Sequence, residues 1–190
     1  MSLRIIAGAH RGRKLIAPEG REIRPTSARA REALFNILAH GVASEDGTSP
    51  LLGARVLDAF AGTGALGLEA ISRGAGFVTF MDASPQAMKA VADNLRAMKE
   101  LPKAAMVRAD ATSPPPARQA CSLLFLDPPY RSGLIPKALA ALAAQGWIAP
   151  GALICAELAA KEELDLPPGF AILDERRYGA ARIALIRPAS

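Results

Sequence analysis

Four residues in a row, Asp127, Pro128, Pro129 and Tyr130, combine a carboxylate, two backbone positions that cannot donate and an aromatic ring. They follow the apolar run Leu123 to Leu126, which reads as a fully buried strand, so the carboxylate stands where that strand runs out into a loop. Neither proline has an N–H to give a neighbouring strand and each fixes its own φ, so the chain must turn stiffly here. Carboxylate and carbonyl oxygens accept hydrogen bonds while the ring stacks. That combination suits a flat heterocycle carrying an exocyclic amino group. An isolated Pro-Pro also serves as a tight turn closing a strand–helix unit, so the chemical reading depends on what stands beside it.

Three more acids, Asp58, Asp82 and Asp110, also follow short apolar runs. After the first comes Asp58-Ala-Phe60-Ala61-Gly62-Thr63-Gly64-Ala-Leu-Gly67, which contains the Gly-x-Gly-x-x-Gly of dinucleotide binding, and Asp82 lies twenty residues past Gly62, where a ribose-binding acid belongs. The fingerprint alone fits NAD as well as S-adenosylmethionine. Asp58 favours the second, because a carboxylate just before the glycine turn repels a pyrophosphate and attracts an ammonium or a sulfonium. Asp82 can then accept both ribose hydroxyls, and Asp110 can sit near the adenine amino group or simply cap a turn. Ala83 and Ala111 follow these two acids and complete the predicted cofactor wall.

The elements that must position these residues alternate. Strands are predicted at Arg55 to Leu57, Phe77 to Met81, Ala104 to Arg108, Ser122 to Leu126 and Ala152 to Ala156. Between them lie a helix ending near Arg73, one opened by the N-cap Ser84 with Pro85 at its first position and running to about Lys99, and one near Ile135 to Ala144. Such alternation specifies a doubly wound α/β domain with a mostly parallel sheet, whose ligands bind outside the carboxyl ends of the strands. Ala171 to Tyr178 and Arg182 to Arg187 are separated only by Gly179-Ala-Ala181, which demands an antiparallel hairpin at one sheet edge.

The amino-terminal segment differs. Residues 1 to 31 hold eight Arg or Lys against Glu19 and Glu22, a net of +6 in a chain whose total is +5, which leaves −1 for the other 159 residues. A concentrated basic segment on a neutral body is an electrostatic footprint for a polyanion, nucleic acid above all, though a solvated tail has the same composition. Leu3 to Ile16 reads as a β-hairpin tipped by Arg11, Arg13 and Lys14, with His10 as a phosphate or solvent contact. Arg24-Pro-Thr26-Ser27 leads through an N-cap into a helix ending near Ala39. Arg29 and Arg31 lie near the start of that helix, where cations oppose its dipole and call for an anionic partner. Gly41 to Pro50 reads as a linker, which divides the chain into a basic extension, 1–45, and a catalytic domain, 46–190.

Composition excludes little else. Cys121 and Cys155 each sit in apolar runs and read as buried thiols of a cytoplasmic protein, without the partners of a metal site. No secretory signal is expected, and the uncharged run Ala138 to Ala156 is broken by Gln145, Gly146, Pro150 and Gly151, so no membrane span is expected either.

The stretch Leu57-Asp-Ala-Phe-Ala-Gly-Thr-Gly-Ala-Leu-Gly-Leu-Glu69, followed by Asp127-Pro-Pro-Tyr130, resembles a class I S-adenosylmethionine-dependent methyltransferase acting on an amino nitrogen. Arg4-Ile-Ile-Ala-Gly8, Arg11-Gly-Arg-Lys-Leu15, Arg24-Pro-Thr26, Arg31-Glu-Ala-Leu-Phe-Asn36 and Ile71-Ser-Arg-Gly-Ala75 are similar to the RsmD family. That resemblance implies a seven-stranded sheet and methylation of guanine N2 in 16S ribosomal RNA, naked or in an assembling small subunit, by a monomer without metal. It also implies catalytic roles for Asp127, Pro128, Pro129 and Tyr130, and RNA contacts from Arg11, Arg13, Lys14, Arg24, Thr26, Arg29 and Arg31. The family often has Phe in place of Tyr130, so the hydroxyl is not expected to be required. A DNA adenine-N6 methyltransferase and a non-catalytic ribosome-assembly factor remain alternative readings. An NAD-dependent dehydrogenase is disfavoured by Asp58 and by the absence of a persuasive hydride-transfer acid.

Overall fold

A computed structural model describes residues 3–17, 26–40 and 49–189, with the side chains of Thr26 and Ser27 also outside the description. Arg24, the Thr26 and Ser27 side chains and nearly all of the predicted linker therefore lie outside the described residues.

The chain forms one seven-stranded sheet in the order β3-β2-β1-β4-β5-β7-β6. Strands β1 (Arg55–Asp58), β2 (Phe77–Met81), β3 (Ala104–Val107), β4 (Cys121–Leu126) and β5 (Ile148–Ala159) run parallel. The hairpin of β6 (Phe170–Tyr178) and β7 (Ala181–Pro188) closes one edge, with β7 antiparallel to β5. β5 begins four residues before its predicted start and runs through Pro150 and Gly151, which had been read as a break. Its pairing with β4 shifts register between Cys121 and Leu123, so the exposed Pro150 and left-handed Gly151 occupy an irregular stretch where no regular ladder bond is lost.

Each face of the sheet carries its own core. Over one lie α1 (Thr26–Ala39), α2 (Ala65–Ser72) and α3 (Pro85–Met98), packed on Val56, Val78, Phe80, Leu123, Phe125 and Leu185. Over the other lies α4 (Leu134–Ala144), packed with Trp147 on Leu57, Leu124, Leu126 and Ile154. The Ser84 hydroxyl accepts the Ala87 N–H at the start of α3, as its N-cap position requires. Gly67 is demanded by helix–strand packing, since a Cβ there would stand 2.3 Å from the Phe80 ring.

The basic segment is folded onto this body. Leu3, Ile5 and Leu15, with Leu34, Phe35 and Leu38 of α1, belong to the same buried cluster as the sheet. The segment makes a single antiparallel bridge, Arg4 to Lys14, around a turn at 7–12, so it is a looser hairpin than predicted. Ile5 donates to the Arg13 carbonyl, Gly12 to Ile5 and Leu15 to Leu3, and other backbone groups are spent on the body. Ile6 and Ala7 donate to the two oxygens of Glu69 at 2.8 and 3.0 Å, and Ala9 donates to the Ser72 carbonyl at the end of α2 at 2.8 Å. Ile16 donates to the Asn94 side chain of α3 at 2.8 Å and accepts back from it at 3.0 Å. Gly8 permits the close approach, because its φ is +81° and a Cβ there would lie 1.9 Å from the Ser72 oxygen.

The predicted RNA contact Arg31 and the predicted phosphate or solvent contact His10 are both claimed internally by this docking. Arg31 is only 5% exposed and donates to the Arg4 carbonyl at 2.7 Å. Its anionic partner is internal: burial lowers its pKa while the charge of Glu69 opposes that shift. His10 pairs with Glu100 at 2.8 Å and donates its backbone N–H to the Ser72 hydroxyl, so it clasps the segment to the body.

Glu69 is fully buried and also pairs with Arg73 at 2.8 Å, whose guanidinium lies over the Phe35 ring. Glu69→Ala leaves two backbone donors and Arg73 without their acceptor and removes the charge that faces Arg31, and is expected to cost about 3–5 kcal/mol of stability. Urea unfolding of the two proteins checks this.

Candidate active site

Three strand ends and the turn after β4 converge on one cleft of about 200 Å³. Its walls include Phe60 after β1, Asp82 and Ala83 after β2, Asp110 and Ala111 after β3, and Pro129 after β4, with Leu134 of α4 closing the side. The structure thus brings together acids and a Pro-Pro turn that lie up to 47 residues apart in sequence.

Asp82 has one oxygen on the Gly62 N–H and the other on the Ser84 N–H, both at 2.8 Å. A carboxylate offers about four acceptor sites, so two bonds hold its orientation without exhausting it. Asp110 accepts from both the backbone and the hydroxyl of Thr112 through one oxygen, each at 2.8 Å. It therefore does cap a turn, and its other oxygen makes no hydrogen bond among the described residues. The cleft pairs these two acids with apolar surface from Phe60, Ala83, Ala111 and Leu134. Such a set of acceptors and apolar surface fits a nucleoside whose sugar and base amino group donate and whose base is flat.

The glycine loop contributes differently from its motif. Gly62, with φ +54°, gives its N–H to Asp82; the Thr63 carbonyl accepts from Asn94; and left-handed Gly64 opens α2. Ala61 is buried and donates to the Met81 carbonyl at 3.0 Å. Asp58 lies beneath the loop, 1% exposed, and accepts the Gly67 N–H at 2.9 Å. Its first task is to tie β1 to the start of α2, and any pull on a cation in the cleft acts through space.

Asp127 is half-buried, Pro128 buried and Pro129 exposed to the cleft. The Tyr130 ring packs partly on the α1-side core and its hydroxyl donates to Glu157 of β5 at 2.7 Å. Glu157 was missed because nothing in the sequence links a strand acid to a tyrosine 27 positions earlier. Arg131, which directly follows the motif, is exposed and has a left-handed φ of +57°. On the basic segment, Arg11, Arg13 and Lys14 are exposed, as is Arg29. Among the described residues, no group of three or more His, Cys, Asp or Glu could hold a metal ion, and no helix is long and apolar enough to cross a membrane.

The family model described as "Conserved hypothetical protein 95" matches residues 3–187. The Ribosomal RNA small subunit methyltransferase D of Haemophilus influenzae is 34% identical over 181 residues, 93% of this chain and 89% of that protein. Its namesake in Escherichia coli is 37% identical over 167 residues, 87% of this chain and 79% of that protein. The chain belongs to the RsmD family. Its fold agrees with that membership. The solved structure of the candidate methyltransferase yhhF of Escherichia coli is 33% identical and superposes with a TM-score of 0.81, covering 100% of this chain and 99% of that one. A candidate methylase of Haemophilus influenzae, 30% identical, superposes at 0.78 over the whole of both chains. The sheet is thus that of a Rossmann-like class I methyltransferase, seven-stranded as the resemblance implied.

Burial raises the pKa of Asp58 from 3.8 to about 7, with the Gly67 hydrogen bond opposing the shift and the nearby Asp82 charge adding to it. A carboxyl whose folded pKa is raised stabilises the fold below its unfolded pKa and loses that contribution as pH rises through the folded value. The protein should therefore lose stability on account of Asp58 between about pH 4 and about pH 7, by at most about 1.4 kcal/mol per pH unit, and level off above. Asp58→Asn keeps an oxygen for Gly67 and never ionises, so its urea midpoints between pH 5 and 8 should lack that slope.

Proposed function

We propose that the chain methylates the exocyclic N2 of a guanine in the 16S RNA of the small ribosomal subunit, with S-adenosylmethionine as donor. The observation that carries this reading is the meeting of Pro129, from the Asp-Pro-Pro-Tyr turn, with Asp82 and Asp110 in one cleft. An amino-group site and a nucleoside site are thereby neighbours. The names of the relatives support ribosomal RNA as the substrate.

Asp82 is the residue for the ribose hydroxyls, Asp110 for the adenine amino group, and Phe60, Ala83 and Ala111 for the flat faces of the donor. When bound, S-adenosylmethionine supplies an electrophilic methyl group on a sulfonium. The chain's own work is on the acceptor. A guanine amino nitrogen is a poor nucleophile because its lone pair is delocalised into the ring. If Asp127 and the Pro128 carbonyl each accept one of its hydrogens, the lone pair is directed towards the methyl and positive charge developing on nitrogen is stabilised. The Pro-Pro turn keeps both acceptors stiff, and the Tyr130 ring offers a stacking surface for a base extruded from its neighbours.

Asp127→Ala should lower methyl transfer at least about a hundredfold while leaving S-adenosylmethionine affinity nearly unchanged. Labelled methyl transfer to small-subunit RNA, with DNA as the comparison substrate, and calorimetry of donor binding check the two halves. Transfer to DNA adenine in place of RNA would replace this reading with the alternative amino-group enzyme.

RNA backbone is the partner proposed for Arg11, Arg13, Lys14 and Arg29, with Arg24 and Thr26 as further contacts. Deleting the segment would also remove Leu3, Ile5 and Leu15 from the core, so charge must be removed without truncation. The combined change Arg11→Gln, Arg13→Gln and Lys14→Gln should weaken RNA binding and reduce the slope of log affinity against log salt by about 2 to 3, with folding intact. Filter binding across a salt series measures the slope.

A further inference from the structure

The Asp-Pro-Pro-Tyr turn grips an amino group, which adenine and guanine both possess, so the choice of base must be made elsewhere in the site. Guanine differs next to its amino group: N1 carries a hydrogen and donates, whereas the ring nitrogens flanking adenine's amine accept. A guanine site therefore calls for an acceptor beside the residues that hold the amine.

Glu157 is such an acceptor. In the β4–β5 pairing Leu126 lies opposite Ala156, and both side chains belong to the α4-side core. Glu157, the next residue of β5, therefore points to the opposite face, and Asp127, the first residue beyond β4, follows directly beside it. Tyr130 sits on that same face, packed against its core, and holds Glu157 by a 2.7 Å hydrogen bond from its hydroxyl. This bond fixes the direction of the Glu157 carboxylate, whose oxygens are acceptors only.

We propose that Glu157 is the residue that selects guanine, its carboxylate accepting the N1–H of the base whose amino group is held by Asp127 and Pro128. The Tyr130 hydroxyl then has a task that Phe cannot perform, which is to fix the direction of the selecting carboxylate. With adenine in the same place, a lone pair of N1 would face the carboxylate and repel it. This proposal rests on the guanine-N2 reading given above.

The test uses the full chain and small-subunit RNA carrying either guanine or 2-aminopurine at the methylated position. 2-Aminopurine keeps the amino group on C2 but has no hydrogen on N1. The wild type should favour guanine by roughly 10- to 100-fold in kcat/KM, the value of one hydrogen bond to a charged group. Glu157→Gln, whose amide keeps an oxygen for Tyr130 and gains an N–H for the bare N1, should bring the two substrates within about threefold or reverse their order, with S-adenosylmethionine affinity unchanged by calorimetry. Tyr130→Phe should narrow the preference in the same direction by a smaller factor. The same guanine preference in all three proteins, or equal use of both bases by the wild type, overturns the role of Glu157. A wild type that leaves guanine unmethylated overturns the parent reading itself, and with it this proposal.

Discussion

The fully buried carboxylate of Glu69 is the interaction on which the arrangement of this protein depends. An isolated charge in that position would be prohibitively costly, and Glu69 is tolerable only because Arg73, the nearby charge of Arg31 and two backbone N–H groups of the amino-terminal segment meet it together. Each of those partners brings an element with it. Arg73 follows α2, Arg31 belongs to α1, and Ile6 and Ala7 bring the segment that carries Arg11, Arg13 and Lys14. One carboxylate thus gathers three parts of the chain over one face of the sheet.

α2 joins that junction to the cofactor loop. It is eight residues long, roughly 12 Å. At its start Gly67 packs against Phe80 and is tied to Asp58, and at its end Glu69 and Ser72 hold the basic segment. Residues that order the donor loop and residues that anchor the proposed RNA contacts are therefore within two turns of one rigid element. The glycine motif has a double meaning here: its spacing admits close backbone approach, and its third member fits the helix to the sheet.

Much of this was legible in the sequence wherever the cause was local. Apolar runs marked all five parallel strands, Ser84-Pro85 marked the start of α3, and a three-residue gap between strand-like runs forced the terminal hairpin. The strand-end acids were legible because an α/β sheet places successive carboxyl ends along one edge. What failed was long-range. Arg31 reads as a cation awaiting a phosphate until Glu69, 38 positions later, is seen to claim it, and His10 reads likewise until Glu100 does. The partner of the Tyr130 hydroxyl, Glu157, was likewise out of sight, since it lies on a different strand. Charge and side-chain type are visible in a sequence, whereas the choice between an internal and an external counter-charge is made by folding.

The side-chain hydrogen bonds that seat the amino-terminal segment on α2, α3 and Glu100 span 62 to 90 residues of chain. A ribosome making this protein releases that segment before α2 and Asn94 of α3, which must follow before it has anything to dock on. During synthesis its cations are consequently exposed beside ribosomal RNA while their seat is still unmade. The segment emerges ahead of its own seat, and closing those long loops is an entropic step that the contacts of the completed core must repay.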